Sequence, residues 1–505
     1  MACSPANRSA RRPPDGGKHG TTANGNAKAR EPTRRTFLCS ALAAAGLLTL
    51  SHPAPLASPS LTIGNVTALY PVVVARVATP KTPSDIVSAL ADWPGRVAVG
   101  GGRYSMGGQV GLRGGLHLDM RSMNALVWVR PQGLCARVQA GMRWRDLQDV
   151  LDPLNLAVKT MQSYANFTIG GSVAVNAHGR DVGAGPVGHS VRALQVVLAD
   201  GSVVETRREQ NETLFRAVIG SYGAMGVITE VELDLSENVR MERTVSEVPL
   251  SKYVSHFEDE VLADRRSVLH NADLMAPDFD RPVCVTWRRT SQPPTDPQRL
   301  VPRDRSHALE QNALWAMTEL PGGDRLRRSV IHPLLAAKPA VVWRNREASL
   351  DVAELEPRTR RITTYALQEY FVPKRHFIAF AQKLARALSA NSRHVLNVSI
   401  RHSPADRVSM LPWAKEAVFA FVIFYKQGTG PSARDAVGAW TRQLIELALR
   451  HEGRYYLPYQ LHATRSQFER AYPEAEAFRS IKRQFDPGSR FSNELWEKYL
   501  PPRPA

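Results

Sequence analysis

Short apolar runs alternate with short amphipathic stretches from residue 61 onward. β-Branched residues over 66–77 predict a strand, and Thr82-Pro83-Ser84-Asp85 has the capping hydroxyl, the proline and the early acid of a helix start. Asp200-Gly201 between two apolar runs predicts a hairpin. Mixed short strands and helices of this kind indicate an α+β fold rather than a doubly wound sheet. The predicted helices are 86–91, 143–151 and 213–218, and the predicted strands are 96–99, 115–119, 125–129, 134–140, 191–198, 202–205 and 226–235.

The composition and the hydrophobic pattern of the chain change near residue 240. Residues 288–360 contain long polar connections that are rich in proline and arginine. Beyond them, the pattern predicts strands at 363–371, 395–401 and 417–425, helices at 376–390 and 433–450, and a compact tail from 455 to 499. No internal repeat is visible. The predicted organisation is therefore a first lobe at 61–237, an α/β second lobe at 238–452 and a C-terminal segment at 453–505.

The first 57 residues predict a leader rather than a folded part. Residues 1–32 show no apolar periodicity. Thr33-Arg34-Arg35-Thr36-Phe37-Leu38 then precedes an apolar stretch at 39–50 and small residues near 57, and this order resembles a twin-arginine export signal. The apolar stretch is shorter than the roughly 20 residues of a transmembrane helix. The leader predicts an exported protein, and an uncleaved amphipathic anchor is the alternative.

The net charge of +18 is spread along the chain. The leader contributes +6, and the rest has no long Lys/Arg tract with interleaved aromatic residues, which argues against a nucleic-acid binder. A basic surface of this kind would attract acidic lipid headgroups, as in peripheral membrane contact, or an acidic redox partner. Cys135 and Cys284, the two cysteines after the leader, have no metal-ligand spacing, so no metal site is predicted.

Two glycine-rich segments carry the candidate chemistry. Gly100-Gly101-Gly102-Arg103-Tyr104-Ser105 follows a predicted strand, and its backbone N–H groups could cradle a pyrophosphate. The spacing is not Gly-x-Gly-x-x-Gly, so a Rossmann nucleotide site is not indicated, and an ordinary turn is the alternative. In the second segment, 163–181, Thr168 could cap a short helix facing an anion or a flavin edge. A lone His178 could equally be a structural hydrogen-bonding group.

These two segments, in this order, resemble the flavin-binding lobe of the vanillyl-alcohol-oxidase/para-cresol-methylhydroxylase superfamily. Asp200-Gly201 after a strand and the run from Ser221 to Ile228 complete the resemblance, which covers about 65–235. It implies the FAD-binding fold of that superfamily, known as PCMH-type, with a C-terminal tail returning to the flavin. The residues that it implies for FAD binding are Gly100, Gly101, Gly102, Arg103, Tyr104, Ser105, Ser163, Thr168, Ile169, Gly170, Gly171, Ser172, Asn176, His178, Gly179, Gly226, Val227, Ile228 and Asn493.

Motifs of the second half narrow the resemblance. Gln368 to Pro373, Ser399-Ile400-Arg401 and the tail from Phe485 to Asn493 are similar to the sugar-oxidising members. Those are aldonolactone oxidases, alditol oxidases and decaprenylphosphoryl-ribose oxidases. The resemblance implies oxidation of a CH–OH group of a sugar-like molecule, with oxygen, a quinone or a cytochrome as the electron acceptor. A lipid-linked sugar oxidase and a catalytically degenerate flavin-binding protein are the alternatives.

The chain departs from these relatives at three positions. Many relatives carry a flavin-linked histidine where Arg103 stands, so non-covalent FAD is expected here, with Arg103 contacting the phosphates. Alditol oxidases have a glutamate where this chain has Ser399, and sugar-oxidising relatives often have a lysine where it has Tyr459. The substrate can therefore differ from those of the three named groups.

Three residues are candidates for the chemical step. Arg401 could hold the substrate oxygen and stabilise alkoxide character, although a strand arginine can equally form a surface salt bridge. His462 titrates near neutral pH and could act as the base. Tyr459 could act as a base only if a neighbouring cation lowered its pKa from about 10. Either of the last two could instead serve packing.

Overall fold

The computed structural model describes residues 61–312, 340–357, 359–389 and 394–501. The predicted leader and export signal, together with a large part of the 288–360 connection, lie outside the described residues. No helix within these ranges is both long and apolar enough to cross a membrane.

Helices and strands are interspersed along the described chain, as the hydrophobic pattern predicts. The strands are β1 (Leu61–Ile63), β2 (Val72–Val74), β3 (Arg76–Ala78), β4 (Val97–Gly100), β5 (Leu116–Asp119), β6 (Leu126–Arg130), β7 (Cys135–Gln139), β8 (Leu156–Val158), β9 (Val191–Val197), β10 (Val203–Arg207), β11 (Val227–Glu237), β12 (Arg240–Glu247), β13 (Ser267–Met275), β14 (Val283–Arg289), β15 (Val341–Trp343), β16 (Thr363–Pro373), β17 (Val395–Ser403), β18 (Val418–Gly428) and β19 (Arg454–Tyr455). The α-helices are α1 (Pro83–Ala91), α2 (Trp144–Leu151), α3 (Ile169–Ala174), α4 (Glu212–Val218), α5 (Tyr253–His256), α6 (Arg344–Ala348), α7 (Phe377–Ser389), α8 (Pro431–Leu449), α9 (Arg465–Ala471), α10 (Ala475–Phe485) and α11 (Glu494–Tyr499).

Strands before residue 238 form three sheets. β1 pairs with β2, and β3, β5 and β4 form a small parallel sheet. The third sheet has the order β10-β9-β11-β7-β6, with β8 added at the end of β11, and its pairs are antiparallel. The predicted hairpin is confirmed, since β9 and β10 pair antiparallel around Asp200-Gly201. The mixed helix-and-sheet class is thereby confirmed as well.

Strands after residue 238 form one large antiparallel sheet. Its order is β15-β12-β14-β13-β17-β18-β16-β19, so β16, β17 and β18 lie together in one half. The hydrophobic pattern predicts these three strands and misses β12 to β15. β12 alternates exposed and half-buried positions and carries many charges, which hides its strand pattern. α7 packs Phe377, Phe380 and Leu384 into the core that the sheet shares.

The predicted strand at 66–77 is wrong over its first half. The side chain of Asn65 accepts a hydrogen bond from the Thr67 amide at 2.9 Å, and Ala68 has a left-handed backbone with φ of 57°. These features form a turn, and Pro71 follows it. Within the predicted range, regular pairing starts only at β2, because a local side-chain-to-backbone bond competes with strand pairing over the first half.

The C-terminal segment contacts strands and loops of the first 237 residues. The Val97 amide donates to the Arg490 carbonyl at 2.7 Å, and the Ser492 amide donates back to the Val97 carbonyl at 2.9 Å. Asn493 caps α11 and also donates from Nδ2 to the Tyr222 carbonyl at 2.7 Å. Residues that are distant in sequence therefore share backbone hydrogen bonds with β4 and with the Tyr222 turn.

A buried ion pair anchors this segment. Lys482 Nζ donates to Asp486 Oδ2 at 2.7 Å and to the carbonyls of Ala224 and Phe491, while Asp486 also accepts from the Phe491 amide. The side chain of Asp486 is 0% exposed. Removing one partner would leave the other charge buried without compensation.

We expect Asp486→Asn to lower the free energy of unfolding by about 3–5 kcal/mol, because it leaves the Lys482 ammonium unpaired in the interior. Urea unfolding followed by circular dichroism measures this change. Glu476→Gln is the control, since its ion pair with Arg479 lies on the same helix but is exposed and should cost less than about 1 kcal/mol. Equal losses in the two variants would contradict the assigned role of the Lys482–Asp486 pair.

Candidate active site

A large cavity lies where the two glycine segments meet the large sheet. It holds about 1610 Å³ of space between atoms, part of it open to solvent. Its wall includes the loop after β4, the 163–178 segment, the turn at Ser221–Gly223 and side chains from β16, β17 and β18. Its wall combines glycine backbone and apolar side chains with a few convergent polar groups, as binding sites for cofactors and other small molecules do.

The two glycine segments touch through Thr168. The Gly102 amide donates to Thr168 Oγ1 at 3.2 Å, and a Cβ at Gly101 would lie only 2.3 Å from the same oxygen. Thr168 precedes α3 but makes no side-chain cap bond to it, because its hydroxyl is used across the loop contact. Glycine at 101 is therefore required by the close approach of the second segment.

Arg103 adopts a left-handed backbone with φ of 62° and turns its guanidinium towards β5. Its Nη2 donates to Asp119 Oδ2 at 2.8 Å and lies 3.3 Å from His117 Nε2. Burial, together with the Arg103 charge, lowers the pKa of His117 to about 4, so this ring is neutral at pH 7. Arg103 lines the cavity, but its charge is shared with Asp119 rather than directed wholly at a ligand.

The structure brings many of the residues implied by the resemblance to the cavity wall. They are Gly101, Gly102, Arg103, Tyr104, Ser105, Ser163, Thr168, Gly170, Gly171, Ser172, His178, Gly226 and Ile228, and the candidates Arg401 and Tyr459 join them.

Other implied residues lie behind the wall. They are Gly100, Ile169, Asn176, Gly179, Val227 and Asn493, none of which lines the cavity. Ile169 and Val227 are fully buried in the core, and Gly179 packs against the Met161 carbonyl. The side chain of Asn176 bridges the Gly188 amide and Asp406, so its polar groups are already used. These residues shape the wall rather than face a ligand.

A carboxylate that the sequence analysis did not select lies at the centre of the site. Glu369 projects from β16 and is 3% exposed. Its Oε1 lies 2.5 Å from His178 Nε2, and its Oε2 accepts the hydroxyl hydrogen of Tyr459 at 3.0 Å. A lone carboxylate in an otherwise apolar strand was the sequence signal for this residue, because such a charge is buried only where it has partners.

The condition for Tyr459 to act as a base by itself is not met. Burial, followed by the negative charge of Glu369, raises the pKa of Tyr459 well above 10, and the nearby Arg401 cation only partly offsets this. Tyr459 is therefore a neutral phenol that donates to Glu369.

His462 lies outside this cavity, in a neighbouring one lined also by Arg442 and Lys498. Burial and these two cations lower the pKa of His462 to about 4. The structure does not bring His462 to the residues of the main cavity, so a role as the base there has no geometric support.

Arg401 extends from β17 into the cavity and forms no ion pair among the described residues. Its Nε is buried and has no hydrogen-bond partner. The pKa values of Tyr164 and Tyr459 are both lowered by its charge, although burial outweighs that effect, so the guanidinium lies near both phenols. An unpaired cation in a shielded cavity attracts a ligand oxygen strongly.

Polar atoms without partners show that the cavity suits a polar ligand. Buried polar atoms of Arg103, Ser163, His178 and Arg401 have no hydrogen-bond partner, and all four residues line the wall. Buried polar groups in proteins are nearly always satisfied. Glycine backbone, unpaired donors and aromatic side chains in one cavity fit a flavin dinucleotide with a polar substrate.

Comparisons with known proteins agree with this fit. Residues 71–207 match the family model described as FAD binding domain. L-gulonolactone oxidase of Bos taurus is 23% identical over 409 residues, which are 80% of this chain and 89% of that protein. Putative D-arabinono-1,4-lactone oxidase of Neurospora crassa is 39% identical over 94 residues, or 19% of this chain and 17% of that protein. Alditol oxidase of a Streptomyces species is 32% identical over 178 residues, or 35% of this chain and 42% of that protein.

These matches confirm the resemblance given by the glycine segments. The chain carries an FAD-binding domain of PCMH type, and it is an FAD-dependent oxidoreductase. The predicted cofactor, FAD, is likewise confirmed.

We expect Gly101→Ala to raise the Kd for FAD at least tenfold, because the added methyl group would displace Thr168 from the loop contact, a strain of about 1–3 kcal/mol. Titration of flavin-free protein with FAD, followed by flavin fluorescence, measures this Kd. Gly64→Ala is the matched control, since its Cβ would meet nothing within 4 Å. An unchanged Kd for Gly101→Ala would show that the loop contact does not shape the FAD site.

Proposed function

We propose that the protein oxidises a CH–OH group of a sugar-like molecule, an aldonolactone, an alditol or a related compound, as a D-arabinono-1,4-lactone oxidase does. The observation that carries this proposal is the pairing, in one shielded cavity, of an uncompensated Arg401 cation with a Tyr459 phenol hydrogen-bonded to Glu369. A cation and a proton-accepting group are what the oxidation of an alcohol requires from the protein.

FAD, when bound, supplies the acceptor for the hydride that leaves the substrate carbon. The loop after β4 and the 163–172 segment would hold the dinucleotide, with the Gly226 and Ile228 region on its adenine half. Arg401 would hold the substrate oxygen and stabilise the negative charge that develops on it. Aromatic and aliphatic side chains of the wall, including Tyr456 and Val422, would limit the access of water to the reacting carbon.

The names of the relatives support this substrate class. Two of the three named above are lactone oxidases and the third is an alditol oxidase. Oxygen as the acceptor agrees with the word oxidase in all three names, and a quinone or cytochrome remains the other acceptor of the proposal.

We also propose the two-lobed organisation, with FAD on 61–237, the substrate on 238–452 and the 453–505 segment returning to the FAD lobe. The hydrogen bonds from 490–493 to Val97 and Tyr222, and the position of Tyr459 in the cavity wall, support this arrangement. The leader supports export to an extracytoplasmic location. Peripheral membrane contact rests on the basic surface alone.

We expect FAD to be bound without a covalent link, because Arg103 occupies the attachment position and its guanidinium pairs with Asp119. Acid precipitation of the yellow protein should release all of the flavin absorbance into the supernatant. Colour retained in the pellet would show a covalent bond to another residue.

We expect an aldonolactone or alditol to bleach the flavin anaerobically, and Arg401→Met to lower kcat/KM by about 10²–10³-fold, because the developing oxyanion loses its cation. Anaerobic absorbance at the flavin maximum and steady-state turnover measure the two effects. Arg407→Met is the control, since Arg407 is exposed and does not line the cavity.

Two results would contradict this proposal. A flavin-loaded protein that no lactone or polyol can reduce would favour the degenerate flavin-binding alternative. A loss of less than tenfold for Arg401→Met, with turnover intact, would remove Arg401 from the reacting centre.

A further inference from the structure

We propose that Glu369 is the terminal acceptor of the substrate hydroxyl proton, that Tyr459 passes the proton to it, and that His178 holds it in position. This inference rests on the proposed function, since it requires a substrate with a hydroxyl group in the cavity. It assigns a catalytic role to Glu369 and Tyr459, which line the cavity, and a positioning role to His178.

Both oxygens of Glu369 are occupied by donors. Tyr459 Oη donates to Oε2 at 3.0 Å, and His178 Nε2 lies 2.5 Å from Oε1. A carboxylate has no hydrogen to donate, so the short contact requires His178 to carry its hydrogen on Nε2. Nδ1 of the same ring is buried and has no partner. Two donors therefore converge on one carboxylate, with Tyr459 bonded to one oxygen and His178 bonded to the other.

The direction of the Tyr459–Glu369 hydrogen bond determines where a proton can go. Tyr459 cannot wait as a phenolate, because burial and Glu369 raise its pKa well above 10. It can, however, accept a hydrogen from the substrate hydroxyl while its own hydrogen moves along the existing bond to Glu369 Oε2. Tyr459 stays uncharged throughout, which avoids the free-energy penalty of a buried phenolate.

The step balances in atoms and charge. The substrate O–H bond breaks and a new O–H bond forms on Tyr459, as the former Tyr459 hydrogen bonds to Glu369. The C–H bond breaks with its electron pair, which passes as hydride to the flavin that the proposed function supplies, and the carbon–oxygen double bond forms. Glu369 changes from carboxylate to carboxylic acid, and its proton is later lost to water through the open side of the cavity.

His178 is suited to positioning because its ring is itself confined. Aromatic rings of Trp413, Phe371 and Tyr456 surround it, with centroids 4.9, 5.6 and 6.1 Å away, and the residue is 5% exposed. These rings keep water from replacing the Nε2–H donor.

The first test is a double-mutant cycle on the rate constant of anaerobic flavin reduction. Glu369→Gln and Tyr459→Phe should each lower this rate constant by about 10²–10⁴-fold, the range for a positioned proton acceptor. Because the two residues act as one relay, the double variant should lose little more than the worse single variant. Tyr370→Phe is the matched control, since this buried strand neighbour bonds Gln368 and lies outside the cavity wall.

Independent contributions would make the losses multiply, and that result would overturn the relay. A loss below tenfold for Glu369→Gln, in a protein that retains its flavin and bleaches with substrate, would also overturn it. A wild-type protein that no hydroxylated substrate bleaches would instead refute the proposed function, so the two failures are distinguishable.

The second test examines His178 without relying on turnover. Nitrogen NMR of protein labelled in its histidines should show hydrogen on Nε2 of His178, and the His178→Gln variant identifies its signal. Glu369→Gln should shift that signal, because the charged acceptor is lost. A His178 signal with hydrogen only on Nδ1, or one that Glu369→Gln leaves unchanged, would contradict the proposed hydrogen bond from His178 to Glu369.

A comparison of His178→Gln with His178→Ala separates a positioning role of His178 from a role in packing alone. Glutamine can present an N–H donor close to the place of histidine Nε2, whereas alanine cannot. We expect His178→Gln to recover at least tenfold of the flavin-reduction rate lost in His178→Ala at equal flavin content. Equal rates in the two variants would remove the positioning role of His178.

Discussion

The buried contact between Glu369 and His178 is the constraint on which the site depends. A carboxylate that is 3% exposed is tolerated only if donors satisfy it, and those donors come from the second glycine segment and from the C-terminal segment. β16 is thereby tied to two stretches of chain that are distant from it in sequence. The cavity exists because these three parts meet around one charge.

The requirement that buried polar groups have hydrogen-bond partners also applies to other residues of the site. The Thr168 hydroxyl accepts from the Gly102 amide instead of capping α3. The side-chain amide of Asn176 bonds the Gly188 amide and the Asp406 carboxylate. Four residues of the wall carry buried polar atoms without a partner, among them Arg401 Nε and His178 Nδ1.

Charge is distributed unevenly among the candidate residues. Arg103 pairs with Asp119, which also pairs with Arg121, while Arg401 has no acidic partner in the part of the chain that is described. Two arginines that look alike in the sequence therefore have different roles: one stabilises the turn of its own loop, and the other remains available to a substrate oxygen. Burial raises the pKa values of the five phenols of the wall, so all of them stay neutral; they are Tyr104, Tyr164, Tyr222, Tyr456 and Tyr459.

The sequence by itself determined the mixed helix-and-sheet class, the hairpin at Asp200-Gly201 and the flavin-binding segments, because turn chemistry and glycine-dependent backbone are local properties. It did not reveal β12 to β15; in β12 the exposed, charged positions dilute the strand pattern. Only the tertiary structure decided which polar residues share a cavity. Glu369 and Tyr459 are 90 residues apart, and His462, three residues after Tyr459, faces another cavity. Contacts between distant segments, with the burial and pKa changes they cause, are fixed only when the segments pack together.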